Sequence, residues 1–324
     1  MVILSTVLIP AGIAAGLYLI RKQREYSWGW VHKQHDLRGK IFIVTGANTG
    51  LGFETTRGLV KRGATVILAC RNLRKANEAI EKIKAEFKSG EMIAMELDLA
   101  NFDSIRKFVK EIKEKVPKFD CLINNAGLAV QDEQLTADGI ELHTGTNHIG
   151  PFMLTNLLMD DIKRNNARVV IVSSKMHERA TVDFETFGKY SPKPAGERSN
   201  HLYNNSKLMN FYFAKELYKR GIDVHVCCPG LCNTDFFRDY DPKFYHYVLF
   251  SPVILFMLRS AEQGSQNILF CALENVNTDD QNPDKSYIIY DCKQHKSKID
   301  LSDDVSEKLW IESAKLCGII KEIH

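Results

Sequence analysis

The stretch Thr45-Gly46-Ala47-Asn48-Thr49-Gly50-Leu51-Gly52 constrains this chain more than any other. The apolar run Ile41 to Val44 leads into it and reads as a strand, and Leu51 to Arg62 leads out and reads as a helix. Strand, glycine turn and helix make the first half of a βαβ unit that binds dinucleotides. Glycine lets backbone N–H groups approach a pyrophosphate with no Cβ in the way. The helix that follows aims its unpaired N–H groups and positive dipole end at the same phosphates. The spacing is GxxxGxG, through Gly46, Gly50 and Gly52, instead of the commoner GxGxxG. Three neighbouring glycines by themselves are as readily turn residues, so the rest of the chain has to decide.

At 324 residues the chain could hold one large domain or two small ones. The glycine loop opens a single series of alternating strands and helices, which predicts one domain of roughly 260–280 residues. The net charge is +3 and the Lys and Arg residues are dispersed, so no basic stripe points to nucleic acid. Eight cysteines include no C-x-x-C and no spaced Cys/His set, which argues against a metal site and against a disulfide framework. Cys227 and Cys228 lie in an apolar run and read as buried thiols of a reducing compartment.

Val2 to Ile20 contains no charged residue, and Arg21, Lys22 and Arg24 follow at once. Nineteen helical residues span about 28 Å, close to the thickness of a bilayer's hydrocarbon core. A cleaved signal would carry its positive charge before the apolar run. We therefore expect a transmembrane anchor over 1–22, a juxtamembrane linker over 23–37 and a catalytic domain over 38–324. The basic flank follows the anchor, which places that domain on the cytosolic side. Tyr26, Trp28 and Trp30 then fall near the membrane interface, or are incidental aromatics of a linker.

Residues 64–70 read as the second strand, ending in Cys70-Arg71-Asn72. In dinucleotide folds an acid about 20 residues past the loop binds the ribose of NAD, whereas an arginine there accommodates a 2′-phosphate. Arg71 stands nineteen residues after Gly52, and no Asp or Glu lies between Thr65 and Asn72. A guanidinium pairs with phosphate and a carboxylate repels it. NADP(H) is thus favoured, with NAD(H) as the alternative if Arg71 is only a solvated strand-end residue.

Helices over Asn72 to Lys88 and Asn101 to Val116 alternate with strands over Glu91 to Leu97 and Phe119 to Ile123, and the latter runs into Asn124-Asn125-Ala126-Gly127. Asp138 to Lys163 reads as a long helix interrupted around Gly145, Gly150 and Pro151. Proline removes a helical hydrogen bond, so a kink is expected near Asn147. Arg168 to Ser173 is a β-branched, buried strand, closed by Ser173 and Ser174. Tyr203-Asn204-Asn205-Ser206-Lys207 opens a helix reaching Arg220. Tyr and Lys four apart share one helix face. An ammonium one turn away stabilises a phenolate, so Tyr203 could exchange a proton with a carbonyl or alcohol oxygen. A further strand, Ile222 to Cys228, leads to Pro229-Gly230 and Thr234.

In order and interval, TGANTGLG, NNAG, the strand-ending serines, YxxxK and PGxxxT resemble the short-chain dehydrogenase/reductase superfamily. ACRN at 69–72, ELDLA at 96–100, TNHIG at 146–150 and SYIIYDCK at 286–293 resemble its membrane-bound retinol dehydrogenases. The resemblance covers roughly 38–293. It implies one Rossmann-type α/β domain, a doubly wound parallel sheet with helices on both faces, preceded here by the transmembrane helix. It implies Asn147, Ser174, Tyr203 and Lys207 as catalytic residues, with Asn147 holding a water in the proton path. For the cofactor it implies Thr45, Gly46, Asn48, Thr49, Gly50, Leu51, Gly52 and Arg71, then Asp98 and Leu99 at the adenine. Asn125, Ala126, Gly127, Tyr203, Lys207, Pro229, Gly230 and Thr234 complete that set. The local departure is Pro151, where a histidine or similar is expected, and it bears on the geometry of Asn147.

The implied activity is reversible hydride transfer between NADP(H) and a lipophilic alcohol/aldehyde pair, retinol and retinal first. Cytosolic NADPH is kept reduced, which favours reduction. Sterol or fatty-aldehyde reduction is the alternative within enzymes, and a membrane-tethered NADP-binding interaction protein the alternative outside them. The implied location is the endoplasmic reticulum membrane, with lipid droplets as the alternative. Two segments should choose the substrate: the 28 residues between Ser174 and Tyr203, and the apolar Tyr245 to Leu258, broken by Pro252. Residues 275–285 read as a solvated insertion. The sequon Asn204-Asn205-Ser206 lies inside the YxxxK helix and is sterically unavailable for glycosylation.

Overall fold

The computed structural model describes residues 2–116, 118–130, 134–189, 200–233, 256–276 and 287–319, with the side chains of 2–14 and 200 outside that description. The strands are β1 (Ile41–Thr45), β2 (Thr65–Cys70), β3 (Glu91–Glu96), β4 (Cys121–Asn124), β5 (Arg168–Val172), β6 (Val224–Cys227), β7 (Tyr287–Tyr290) and β8 (Lys293–Lys296), of which β1, β2, β4, β5, β6 and β7 are largely buried apolar runs whereas β3 is partly and β8 wholly exposed. They form one sheet in the order β3-β2-β1-β4-β5-β6-β7-β8. All pairings are parallel except β7 with β8, an antiparallel hairpin. Strand order reverses between β1 and β4, so the carboxyl ends of these two strands flank the crevice where doubly wound sheets bind ligands.

The helices are α1 (Val2–Ser27), α2 (Gly50–Val60), α3 (Leu73–Glu86), α4 (Phe102–Lys115), α5 (Leu142–Thr144), α6 (Gly150–Leu157), α7 (Met159–Asn165), α8 (Asn200–Lys219), α9 (Ala261–Leu273) and α10 (Asp303–Cys317). Each sheet face carries its own core. Phe42, Val44, Ile123 and Val170 meet α2, α3 and α9 on one side. Ile43, Leu122, Val169 and Ile171 meet α4, α6, α8 and α10 on the other. This is period-two alternation within strands that are buried on both faces.

Caps fix several helix starts. Asn72 accepts from Lys75 N at 3.0 Å at the head of α3, and Asn101 accepts from Asp103 N and Ser104 N at the head of α4. Ser260 and Gln263 form a reciprocal capping box on α9. The helix expected from Asp138 starts only at Leu142. Asp138 and Gly139 form a turn instead, in which Asp138 Oδ2 accepts from Phe102 N at 2.9 Å.

Two expectations about the N-terminal segment change. α1 forms but runs past Ile20 to Ser27, through Arg21, Lys22, Arg24 and Glu25. Among the described residues no helix is long and apolar enough to cross a membrane, so the expected transmembrane helix is not met there. The described part, 15–27, follows exposed Leu17, Tyr18, Leu19 and Ile20 with four charged residues, two of which pair with Glu25.

The segment expected as a linker also packs into the domain. Trp28 is 2% exposed, and Val31 and Leu37 are buried. Val31 N donates to Gln266 Oε1 at 3.2 Å, Leu37 N to Arg62 O at 2.9 Å, and His35 meets Glu274 at 2.8 Å. Trp28 is therefore core, not an interfacial ring, whereas Tyr26 is exposed. Cys227 and Cys228 are buried thiols, as expected.

Candidate active site

The glycine loop leaves β1 at the crevice. Gly46 has φ +65°, in the left-handed region, and Gly46 N donates to Ala69 O at 2.9 Å. A Cβ on Gly52 would sit 2.2 Å from Gly46 O and 2.6 Å from Asn125 Nδ2, so only glycine closes this turn. Thr49 precedes α2 in extended conformation, and no side-chain cap bonds the helix's first turn. The leading N–H groups of a helix have no partner within it, and here the N-cap side chain does not take one.

The NNAG segment is tied to this loop through one threonine. Thr45 Oγ1 accepts from Asn125 N and Ala126 N, both at 3.0 Å, and Asn125 Nδ2 donates to Thr45 O at 2.8 Å. Asn124 Nδ2 donates to Thr155 Oγ1 at 3.1 Å, and Thr155 Oγ1 donates to Pro151 O at 2.7 Å. Asp98 ends the turn after β3, where its Oδ1 accepts from Ala100 N at 3.0 Å, and Leu99 is buried behind it. Arg71 is exposed where the chain leaves β2, two residues beyond the carbonyl that holds Gly46.

The serines after β5 separate into two roles. Ser173 is buried and its Oγ donates to Lys207 O at 2.8 Å. Ser174 turns to the crevice and hydrogen-bonds the Tyr203 phenol. His177 steadies that turn from behind, with Nδ1 2.6 Å from Ser174 O and Nε2 2.8 Å from Ser297 Oγ. On α8, Lys207 Nζ lies 5.5 Å from the centroid of the Tyr203 ring and donates to Val172 O at 3.1 Å. A Cβ on Gly127 would come within 3.2 Å of that ammonium, so the NNAG strand end and the lysine face one another closely.

Electrostatics here differ from the expectation drawn from spacing. Burial pushes the Lys207 ammonium down to about 8. Burial likewise pushes the Tyr203 phenol up from its ordinary value, with the Ser174 hydrogen bond acting the other way. Desolvation therefore sets the direction of the shift, against the Ser174 hydrogen bond, and the phenol is held protonated at neutral pH.

Asn147 sits in a π-helical turn, Gly145–Ile149, between α5 and α6. The wide turn, instead of a proline kink, interrupts the helix, and Pro151 falls harmlessly in the first turn of α6. Asn147 Oδ1 accepts from Leu128 N at 2.8 Å, and Nδ2 donates to Leu128 O at 2.9 Å and Ser206 Oγ at 3.1 Å. Its backbone carbonyl, four residues before the proline, accepts from Asn210 Nδ2 at 3.0 Å. Sequence reasoning missed Asn210, although Tyr203, Lys207 and Asn210 form one stripe along α8 at spacings of four and three. Pro229 and Gly230 border the crevice after β6, with Gly230 at φ +85°. Thr234, residues 245–255 of the apolar segment, Pro192, Pro194, Gly196 and residues 277–286 lie outside the described residues.

A nucleotide cradle at a sheet's switch point, facing a serine, a phenol and a buried ammonium, defines the class of dinucleotide-dependent oxidoreductases. Comparison with known proteins gives the family. The short chain dehydrogenase family model matches residues 40–192. Retinol dehydrogenase 12 of Mus musculus is 36% identical over 290 residues, 87% of each chain. Retinol dehydrogenase 13 of Homo sapiens is 34% identical over 294 residues, 87% of this chain and 85% of its own. Among solved structures, an uncharacterized protein from Mycobacterium Paratuberculosis superposes with TM-score 0.65 at 29% identity, over 90% of this chain and 98% of that one. An alcohol dehydrogenase of Thermococcus sibiricus, complexed with 5-hydroxy-NADP, shares the fold at TM-score 0.54 and 18% identity, over 71% and 88%. The chain belongs to the short-chain dehydrogenase/reductase family and is an oxidoreductase related to the retinol dehydrogenases.

Proposed function

We propose that this protein reduces a lipophilic aldehyde to its alcohol with NADPH, reversibly, and that retinal and retinol are the substrate pair. The observation that carries this reading is the convergence of Ser174, Tyr203 and Lys207 on the crevice that the glycine loop opens. The resemblance to retinol dehydrogenases 12 and 13, at about a third identity, supports the substrate class.

The residues present fit a dinucleotide. Gly46 and Gly52 let the loop close tightly against Asn125 and Ala126, the start of α2, where the Thr49 side chain makes no cap, suits a pyrophosphate, and Lys207 is a buried cation bonded to a carbonyl rather than a carboxylate. When bound, the nicotinamide supplies the hydride. Ser174 and Tyr203 hold the carbonyl oxygen between two hydroxyls, and Tyr203 delivers its proton to that oxygen as charge develops there. With a dinucleotide bound, Lys207 would donate to its ribose and would keep positive charge beside the phenolate left behind. Asn147 is locked by Leu128, Ser206 and Asn210, and its side chain lies with the Lys207 ammonium against Gly127, where it would steady the path of proton return.

A panel of retinal, fatty aldehydes and ketosteroids, offered with NADPH and NADH to detergent-solubilised protein, tests the reading. Reduction of retinal or a fatty aldehyde is expected. Cofactor binding without turnover of any of them would reject it in favour of a non-catalytic NADP-binding protein. For the cofactor itself, Arg71→Asp exchanges an attractive phosphate partner for a repulsive one. It should raise the KM for NADPH about ten- to a hundredfold, the worth of a charged hydrogen bond, and leave NADH little changed. Equal weakening of both cofactors would remove Arg71 from phosphate recognition.

The apolar stretch Val2 to Ile20, with exposed Leu17, Leu19 and Ile20 beside a basic turn, suits attachment to a membrane with the catalytic domain in the cytosol. A chain lacking residues 2–20 keeps Arg21 and Trp28 and should leave the membrane fraction with its activity intact. Cutting at Asp36 instead strips Trp28 and Val31 from the core and should lower the melting temperature. Protease added to sealed microsomes should digest the domain, and protection would place it in the lumen.

A further inference from the structure

We infer that Trp28 and Arg259 are positioning residues for the substrate end of the site, because an alternating column of cations and aromatic rings runs from α1 to the residue after Ser174. The inference rests on the oxidoreductase reading above. The column has five members. The Arg21 guanidinium lies over the Trp28 ring at 4.7 Å, and Arg259 lies over the same ring at 4.8 Å. Arg259 also lies over Tyr290 at 4.5 Å, and Lys175 Nζ over Tyr290 at 3.7 Å. Cation–aromatic attraction strengthens when water is excluded, and the two central members, Trp28 and Arg259, are each 2% exposed.

Each step of the column also touches the chain around the crevice. At the outer end, Arg21 Nη2 donates to Leu258 O at 2.7 Å, one residue before Arg259. In the middle, Arg259 Nε lies 2.7 Å from where a Cβ on Gly230 would stand, and Arg259 N donates to Leu231 O at 2.7 Å. The guanidinium therefore backs the Pro229-Gly230 turn. At the inner end, Lys175 N donates to Cys228 Sγ at 3.3 Å, and Cys228 N donates to Ile289 O at 2.9 Å.

Two further features mark the column as built for placement. Arg259 pairs with Asp291, and its Nη1 has no hydrogen-bond partner among the described residues, as expected for a guanidinium enclosed by the Trp28 and Tyr290 rings. Asp291 and Cys292, the two turn residues of the β7–β8 hairpin, have φ +55° and +52°, strained for residues with a Cβ. The Arg259 pair and a bond from Cys292 N to Asn267 Oδ1 at 2.8 Å hold them there. An energetically costly turn kept at the end of Tyr290 fixes the ring on which Lys175 rests. Through these contacts the seating of α1 is communicated to Ser174 and to Gly230.

Trp28→Leu keeps an apolar side chain but removes the ring face, and Trp28→Phe keeps the face. In the full-length protein, Trp28→Leu should lower kcat for aldehyde reduction about ten- to a hundredfold, the effect of a small misplacement at the reacting centre. The KM for NADPH should be unchanged, and Trp28→Phe should recover most of kcat. Amide exchange should rise at 174–179 and 229–232 as well as along α1. Arg21→Gln, at the column's outer end, is the second variant should Trp28→Leu not fold, and it should raise exchange at 174–179 without unfolding the domain. A fall in melting temperature with unchanged kcat, or exchange altered only in α1 and at 28–31, would overturn the inference. If the wild type turned over no carbonyl, the functional reading would fall by itself. Exchange at 174–179 in the two variants would still decide the column's role.

Discussion

Replacing Tyr203 by phenylalanine is expected to slow carbonyl reduction by about two to four decades while leaving NADPH binding intact. The ring and its packing stay; only the hydroxyl that bonds Ser174 is lost. The glycine loop, Arg71 and Lys207 are untouched, so cofactor titration by fluorescence should match the wild type. The pH profile carries the sign of the argument. Burial raises the phenol's pKa, so Tyr203 stays protonated and competent as an acid through the neutral and mildly alkaline range. Lys207, pushed down to about 8 by burial, loses its charge first. Reduction should therefore be level between pH 6 and 7.5 and fall above about 8 as the ammonium deprotonates. A Tyr203→Phe enzyme of near-normal rate would remove the phenol from the proton path. A profile flat beyond pH 9 would remove Lys207 from its supporting role.

The second large effect is opposite in sign for stability and activity. Lys207 is 3% exposed, and its ammonium donates to Val172 O. Its folded pKa lies below the unfolded value, so the folded state releases this proton first as pH rises. Below pH 8 the fold carries the full cost of a desolvated cation. Between about 8 and 10.5 the unfolded chain binds the extra proton, and this group's contribution to stability rises with pH. A depression of that size corresponds to about 3 kcal/mol, with the bond to Val172 already included in it. Lys207→Met, near in volume, should therefore raise the melting temperature at pH 7 by several degrees and nearly abolish turnover. The added stability should shrink as the pH is raised towards 10. A destabilised Lys207→Met protein would mean that the ammonium serves the core as well as the chemistry.

Much of this molecule was written locally. TGANTGLG between an apolar run and an amphipathic one dictates strand, tight turn and helix, because a Cβ at Gly52 has nowhere to go. Buried strands recur between helical periods, and that alternation alone specifies a parallel sheet with helices on both faces. Tyr203 and Lys207 share a face because four residues make about one helical turn. Such features depend on neighbours in the chain and can be read without coordinates.

What the tertiary structure decided depends on residues distant in sequence. Ser173 and Ser174 are chemically alike, and only the packing of β5 against α8 sends one to Lys207 O and the other to Tyr203. Pro151 suggests a kink, but the π turn before it, fastened by Asn210, relieves the proline and leaves Asn147 locked on Leu128. Trp28 reads as an interfacial ring beside an apolar helix, yet it is buried between Arg21 and Arg259, the latter more than two hundred residues away along the chain. The direction of the Tyr203 shift was likewise beyond spacing, because it reflects how much water the assembled fold removes from the phenol, and sequence distance to a lysine says nothing of that.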